Sequence, residues 1–208
     1  MRFAELDAVT LDAFGTLVGL ADPVPALRDA LRERGVDRDP GEIAEAFSAE
    51  GAYYRPRSLE GRDEKSLARL RRECVAVFLE AAGTELAPDE FVDAYIEALR
   101  FELLPGVVEA VRGLRRRGLA LAVVGNWDIG LPGHLAGLGL GGLAVFTSAG
   151  VGVAKPNPAP FLHALEALGV PPERALHIGD DEVDELGAKA AGMRFAWAPL
   201  ADALEATA

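Results

Sequence analysis

The sequence has 208 residues, half of them apolar, and 33 acidic against 21 basic side chains give it a formal net charge of −12. That balance argues against nucleic acid or an anionic membrane as a partner, and the apolar half supplies a core for one large domain or a domain with an insert. A single cysteine, Cys74, excludes an intrachain disulfide and points to a reducing compartment. Charged Glu5 and Asp7 come early with no apolar signal region, and no apolar run reaches 18 residues, so the expectation is a soluble cytoplasmic protein, monomer or homodimer.

In chain order, Ala8–Asp12 reads as a first strand, an apolar run that ends on a carboxylate. From Asp22 to Arg100 the pattern is helical throughout. Leu27 and Leu31 mark one helix; Ile43, Ala46 and Phe47 the next; Leu67, Leu70, Cys74, Val77 and Phe78 a third; Phe91, Tyr95, Ile96 and Leu99 a fourth. Pro23, Pro25, Asp39-Pro40 and Pro88 stand where helices start. From Leu104 strands and helices alternate: helix from Pro105-Gly106 to about Arg117, strand Leu119–Val124, helix and glycine-rich turn Trp127–Leu140, strand Leu143–Thr147. Helix Pro158–Leu168, strand Arg174–Ile178, helix Glu182–Ala191 and strand Arg194–Trp197 follow, with Ala201–Ala208 fraying. Alternation of this kind predicts an α/β fold with βαβ crossovers and a parallel sheet. The domains are then a core of residues 1–20 and 101–208 and an inserted all-α domain of residues 21–100.

A parallel sheet gathers its carboxyl ends on one edge, and four chemically loaded stretches fall there. They are Asp12 with Gly15-Thr16; Gly125-Asn126-Trp127-Asp128; Lys155-Pro156; and Gly179-Asp180 with Asp184. A strand-end Asp can simply cap a turn, or it can be a nucleophile. A second set of carboxylates beside it needs a cation, and the oxygen set of Asp12, Asp180 and a backbone carbonyl suits Mg²⁺. Lys155 adds positive charge, and Asn126 with backbone N–H groups at Ala13, Phe14 and Gly125 can hold phosphoryl oxygens.

These four stretches, in this order and around a helical insert, resemble the haloacid dehalogenase superfamily, in the subgroup with a helical cap after the first motif. The match covers most of the core, and it implies a Rossmann-like parallel sheet with helices on both faces and an inserted all-α cap domain of four or five helices. The resemblance implies a hydrolase acting on a small phosphorylated metabolite through an aspartyl-phosphate on Asp12. It implies Mg²⁺ held by Asp12, the Phe14 carbonyl and Asp180, with Asp184 supporting; Lys155 and Asn126 stabilise the phosphoryl group, and Phe14, Gly125 and Trp127 line the substrate. Two departures stand out. Phe14 occupies the position at which the family's phosphatases carry an acid/base Asp, and Gly125 the position of a Ser or Thr. Loss of a general acid costs roughly 10²–10⁴-fold, so weak turnover, or leaving groups such as acyl or aryl phosphates, are implied. The Asp-Ala-Phe-Gly-Thr wording is also close to the haloacid dehalogenases themselves, which attack carbon without metal. A catalytically impaired member that binds a metabolite or a protein is the third reading.

The remaining candidates have plainer expectations. Asp128 is expected to cap the next helix, and Asp181 and Glu182 to start another. Asp184 is either a metal partner or a partner of Lys155, and Trp127 either lines the crevice or fills core. His134 and His163 are surface or packing residues, and His177 is a hydrogen-bonded core residue. Tyr53–Arg57 with Arg62 is read as a solvated loop, or else as a cap loop selecting anionic substrate. Arg115–Arg117 end a helix as dipole-compensating surface.

Overall fold

A computed structural model describes residues 5–205. Strand β1 (Ala8–Leu11) lies at the centre of a five-stranded sheet, flanked by β4 (Ala120–Gly125) and β6 (Ala175–Gly179), with β5 (Ala144–Thr147) and β7 (Arg194–Trp197) at the edges. All four pairings are parallel, in the register Ala8↔Ala120 and Ala8↔Ala175 around the centre. Every residue of β1 and β6 is buried, whereas the edge strands are half-exposed. Burial on both faces is why the central strands read as continuous apolar runs instead of alternating ones.

Helices α5 (Val107–Arg116), α6 (Leu131–Gly137), α7 (Ser148–Val151), α8 (Ala159–Leu168), α9 (Glu182–Ala190) and α10 (Leu200–Glu205) complete this unit. Phe161, Ala164 and Leu165 of α8 and Ala188 of α9 pack on Ala8, Ala122 and Val124. The intervening strand residues Val9, Leu11, Leu121 and Val123 are also buried, on the opposite face. Expected fraying of Ala201–Ala208 is corrected in part. Leu200–Glu205 is helical because Leu200 and Ala203 find buried positions and the helix packs against α5 and β7; residues 206–208 lie outside the described residues.

The chain divides into two compact units, residues 1–19 with 102–208, and residues 20–101. Two short strands, β2 (Val18–Leu20) and β3 (Phe101–Leu103), pair where the chain leaves and re-enters the first unit. The second unit is helical: α1 (Val24–Arg32), α2 (Pro40–Tyr54), a 3-10 turn at Arg55–Glu60, α3 (Glu64–Ala81) and α4 (Pro88–Ala98). Asp39 and Asp63 cap α2 and α3 in capping boxes, and Pro40 and Pro88 occupy first turns. Its core stacks Phe78 on Phe91 at 5.9 Å and tilts Tyr95 against Phe78 at 5.0 Å. Each such buried ring contributes about 1.5–3 kcal/mol through apolar burial. Cys74 is buried here as a small core residue. Glu50 is also buried, and burial pushes its pKa up. Among the described residues no helix is long and apolar enough to cross a membrane.

Candidate active site

Asp12 follows β1 directly, Gly125 ends β4 and Gly179 ends β6, so the parallel register brings the three to one edge of the sheet. Asp12 is fixed there by its own N–H, which donates to the Ile178 carbonyl at 2.9 Å. The chain then turns tightly: the Leu17 and Val18 N–H groups both reach the Ala13 carbonyl at 2.9 Å, and Gly15 N–H reaches Val18 O at 2.9 Å. Gly15 takes φ +85°, and a Cβ built on it would lie 2.0 Å from Asp180 Oδ2. The turn thus needs glycine twice, for its backbone angle and for the approach of Asp180.

Lys155 is the hub. It is buried, and its three N–H bonds meet three acceptors: Asp12 Oδ1, Asp184 Oδ1 at 2.5 Å and the Val124 carbonyl at 3.0 Å. Asp184 is held from the other side by His177, whose Nε2 lies 3.1 Å from Asp184 Oδ1, while His177 Nδ1 lies 2.8 Å from Thr10 Oγ1. All these groups are buried, and two carboxylates share one ammonium. Burial pushes Asp12 up to about 6 against the pull of Lys155. Burial alone would also raise Asp184, but the His177 hydrogen bond and the Lys155 charge outweigh it and hold the carboxyl below its ordinary value. Burial works to lower Lys155, yet the two carboxylates overcome it and raise it. Burial lowers His177 and favours the neutral ring. At neutral pH this leaves an ionised Asp12, a charged lysine and an uncharged histidine.

Asp180 is the exposed member of the group. Thr16 Oγ1 donates to it at 3.3 Å, and partial burial together with the Asp184 charge raises its pKa. Carboxylate oxygens of Asp12, Asp180 and Asp184 all lie within 4.8 Å of one another. A hard, oxygen-seeking dication fits that donor set, since Lys155 occupies only Oδ1 of Asp12 and Asp184. Gly15→Ala tests this packing. A non-glycine residue at this φ, pressed against Asp180, is expected to cost about 1–3 kcal/mol in urea unfolding. An unchanged unfolding midpoint would show that the turn is not constrained as described.

The other expected site residues have varied surroundings. The sequence reading puts Asn126 on phosphoryl oxygens; in the structure its side chain clamps the Lys155 backbone, with Oδ1 accepting Lys155 N–H at 2.8 Å and Nδ2 donating to Lys155 O at 3.1 Å. This leaves one amide N–H of Asn126 uncommitted to Lys155. Gly125 reads as a packing position, because a Cβ there would sit 3.2 Å from Leu131 Cδ2 and 3.4 Å from Ala13 Cβ. Trp127 is only 8 % exposed, beside the Phe14 ring at 6.3 Å and His134 at 6.1 Å, whereas Phe14 is 51 % exposed. Asp128 does not cap α6, whose N-cap is Gly130. Its carboxylate closes the preceding turn instead, accepting Gly130 N–H at 2.7 Å. Asp181 caps α9 in a capping box with Asp184, as the helix-start reading expects, and Glu182 is in the first turn.

His163 is exposed on α8 and His177 lies in the core with two hydrogen bonds. Tyr53–Arg57 is not a loop. It is the end of α2 running into a 3-10 turn, with the Arg57 guanidinium 3.9 Å above the Tyr53 ring and bonded to Tyr53 O at 3.0 Å. Sequence reasoning missed Thr10, a polar residue in a buried strand that must find a partner; its register partner across the sheet is His177.

A Rossmann-like parallel sheet with a carboxylate, a lysine and further carboxylates gathered at its strand ends is the α/β arrangement that places a polar site at the carboxyl edge of the sheet. The family model of haloacid dehalogenase-like hydrolases matches residues 6–192. The chain belongs to the haloacid dehalogenase-like hydrolase family. It is 34% identical over 207 residues to phosphoglycolate phosphatase of Rhodospirillum rubrum, covering 89% of this chain and 76% of that protein. It is 39% identical over 108 residues to haloacid dehalogenase-like hydrolase domain-containing protein 3 of Mus musculus, where the match spans 50% of this chain and 43% of that protein. Against several curated relatives, then, the chain matches about half their length or less. In structure it is similar to L-2-haloacid dehalogenase of Xanthobacter autotrophicus with chloropropionic acid covalently bound. That likeness has a TM-score of 0.67 and 26% identity, over 91% of this chain and 76% of that one.

Proposed function

We propose that this chain is a Mg²⁺-dependent phosphohydrolase that acts on a small phosphorylated metabolite through an aspartyl-phosphate on Asp12. The observation that carries the reading is the grouping of Asp12, Asp180 and Asp184 around one point beside Lys155. Dehalogenation at carbon has no need of a carboxylate trio, whereas a phosphoryl dianion approaching Asp12 needs its charge offset. When bound, Mg²⁺ supplies that charge and orients the phosphoryl oxygens.

The chain's own residues do the rest. Asp12 attacks phosphorus through its carboxylate, one oxygen of which is held by Lys155. Lys155 keeps Asp12 ionised and aimed, and Asn126 keeps Lys155 in place through its backbone. The P–O bond to the leaving group breaks, and water then attacks phosphorus of the aspartyl-phosphate to regenerate Asp12 and release phosphate. Phe14 offers no proton to the departing oxygen, so leaving groups that depart as stable anions, from acyl and aryl phosphates, turn over fastest.

The relatives named phosphoglycolate phosphatase and phosphoserine phosphatase support phosphate-ester chemistry. The test is turnover of acetyl phosphate and p-nitrophenyl phosphate with Mg²⁺ and with EDTA. We expect EDTA to lower the rate on the order of 10²-fold or more, as removal of a charge-stabilising group does. A second reading, metal-independent release of halide from a 2-haloacid, is favoured by the half-exposed Phe14 ring and by the Xanthobacter neighbour. Chloride release from 2-chloropropionate at a rate indifferent to EDTA selects it and overturns the first.

A further inference from the structure

We propose that His177, locked by Thr10, is the positioning residue of this site. It holds the Asp184 carboxylate where Lys155 and a divalent cation can share it. The inference rests on the cation site proposed above but concerns Thr10 and His177, which lie outside the four strand-end stretches that carry the family resemblance. Thr10 and His177 stand opposite each other in the β1–β6 register, both fully buried in otherwise apolar strands. A buried hydroxyl and a buried imidazole in such a place each need a partner, and they meet at 2.8 Å.

The imidazole's other nitrogen lies 3.1 Å from Asp184 Oδ1. A carboxylate only accepts, so the proton of the neutral ring is on Nε2 and Nδ1 accepts from the Thr10 hydroxyl. The tautomer follows from the two neighbours. Asp184 Oδ1 thereby receives two donors, His177 and Lys155, while its Oδ2 faces the backbone N–H of Asp181 at 3.3 Å. With Oδ1 taken by two donors, Oδ2, which accepts the longer Asp181 N–H bond, keeps lone-pair capacity for a cation. Phe161 packs edge-on against the imidazole, with ring centroids 4.8 Å apart. His177 transfers no proton to a substrate in this role; it acts through Asp184.

Three variants separate positioning from packing. His177→Leu fills space without a donor, His177→Gln keeps an N–H where Nε2 stood, and Thr10→Val removes only the hydroxyl. Mg²⁺ alone is the calorimetric probe, and thermal unfolding of the metal-free protein runs beside it. Removing a hydrogen-bond partner of a metal ligand costs roughly 10–100-fold in affinity, so His177→Leu is expected to weaken Mg²⁺ binding by that factor, and His177→Gln by about threefold or less. Imidazole ¹⁵N spectra of the metal-free protein are expected to show the Nε2–H tautomer, with Thr10→Val mixing in the other.

Unchanged Mg²⁺ affinity in His177→Leu would overturn the proposal, as would equal losses in Leu and Gln, or an Nδ1–H tautomer in the wild type. If the wild type binds no Mg²⁺ at all, the proposed function falls. His177 is then judged by its tautomer and by the Thr10→Val shift, which need no metal.

Discussion

Asp12→Asn is expected to abolish turnover of every phosphate ester the wild type cleaves, by on the order of 10⁴–10⁶-fold in kcat, the loss typical of deleting a catalytic group of a covalent mechanism. The reason is specific to this site. The amide has nearly the shape of the carboxylate and can present its Oδ1 to Lys155, which still has Asp184 and the Val124 carbonyl as acceptors. The fold therefore survives, and circular dichroism and the unfolding midpoint stay close to the wild type. What disappears is the oxygen proposed as the nucleophile and one of the three clustered carboxylates proposed to hold the cation. Rate measurements on acetyl phosphate read the first loss and Mg²⁺ calorimetry the second. A variant that folds, keeps Mg²⁺ binding within a few-fold and still turns over at a tenth of the wild-type rate would remove Asp12 from the mechanism.

Lys155→Met is expected to damage stability as well as rate. The lysine is the cation in contact with both Asp12 and Asp184, and all three groups are buried. Methionine fills the volume of the stem but leaves two like charges facing each other without compensation. Breaking a buried pair from one side costs about 3–5 kcal/mol, and that is the loss expected in urea unfolding at neutral pH without divalent ions. Saturating Mg²⁺ is expected to recover part of it, because a ligand that binds only the folded state stabilises by mass action. Turnover remains depressed with Mg²⁺ present, since a cation does not restore the hydrogen bond that aims Asp12. A Lys155→Met protein as stable as wild type in EDTA would show that the two carboxylates do not both carry charge in the folded state.

Much of this molecule is legible before its structure is seen. The apolar run that stops at Asp12 announces a buried strand with a carboxylate at its end, and the three further strand-end stretches are ordered as a parallel sheet requires. The helices of residues 20–101 follow from apolar spacing and from the start signals at Asp39-Pro40 and Pro88, whereas the Asp63 cap of α3 is seen only in the structure. What escapes the sequence has physical reasons. Strands β2 and β3 are three residues each, too short to display a period. Asn126 carries a side chain suited to a phosphoryl oxygen, and only the fold reveals that the backbone of Lys155, 29 residues on, reaches it first. The Thr10–His177 link spans 167 residues of sequence and exists only because β6 lies beside β1. Two polar side chains in apolar strands are a visible signal, but their pairing depends on strand order, which sequence periodicity does not contain. Arg57 looks like a free basic residue in the sequence, yet it is stacked on Tyr53 within its own helical unit.

The central claim is that Asp12 becomes phosphorylated, and the most direct measurement is to trap it. The protein, with Mg²⁺, is mixed with acetyl phosphate radiolabelled in the phosphoryl group, quenched in acid within the first turnover, digested and sequenced by mass spectrometry. Label is expected on the peptide that contains Asp12, released by hydroxylamine as an acyl phosphate should be, and absent from the Asp12→Asn protein. Turnover of acetyl phosphate without label on Asp12, or with label on another residue, would contradict the claim.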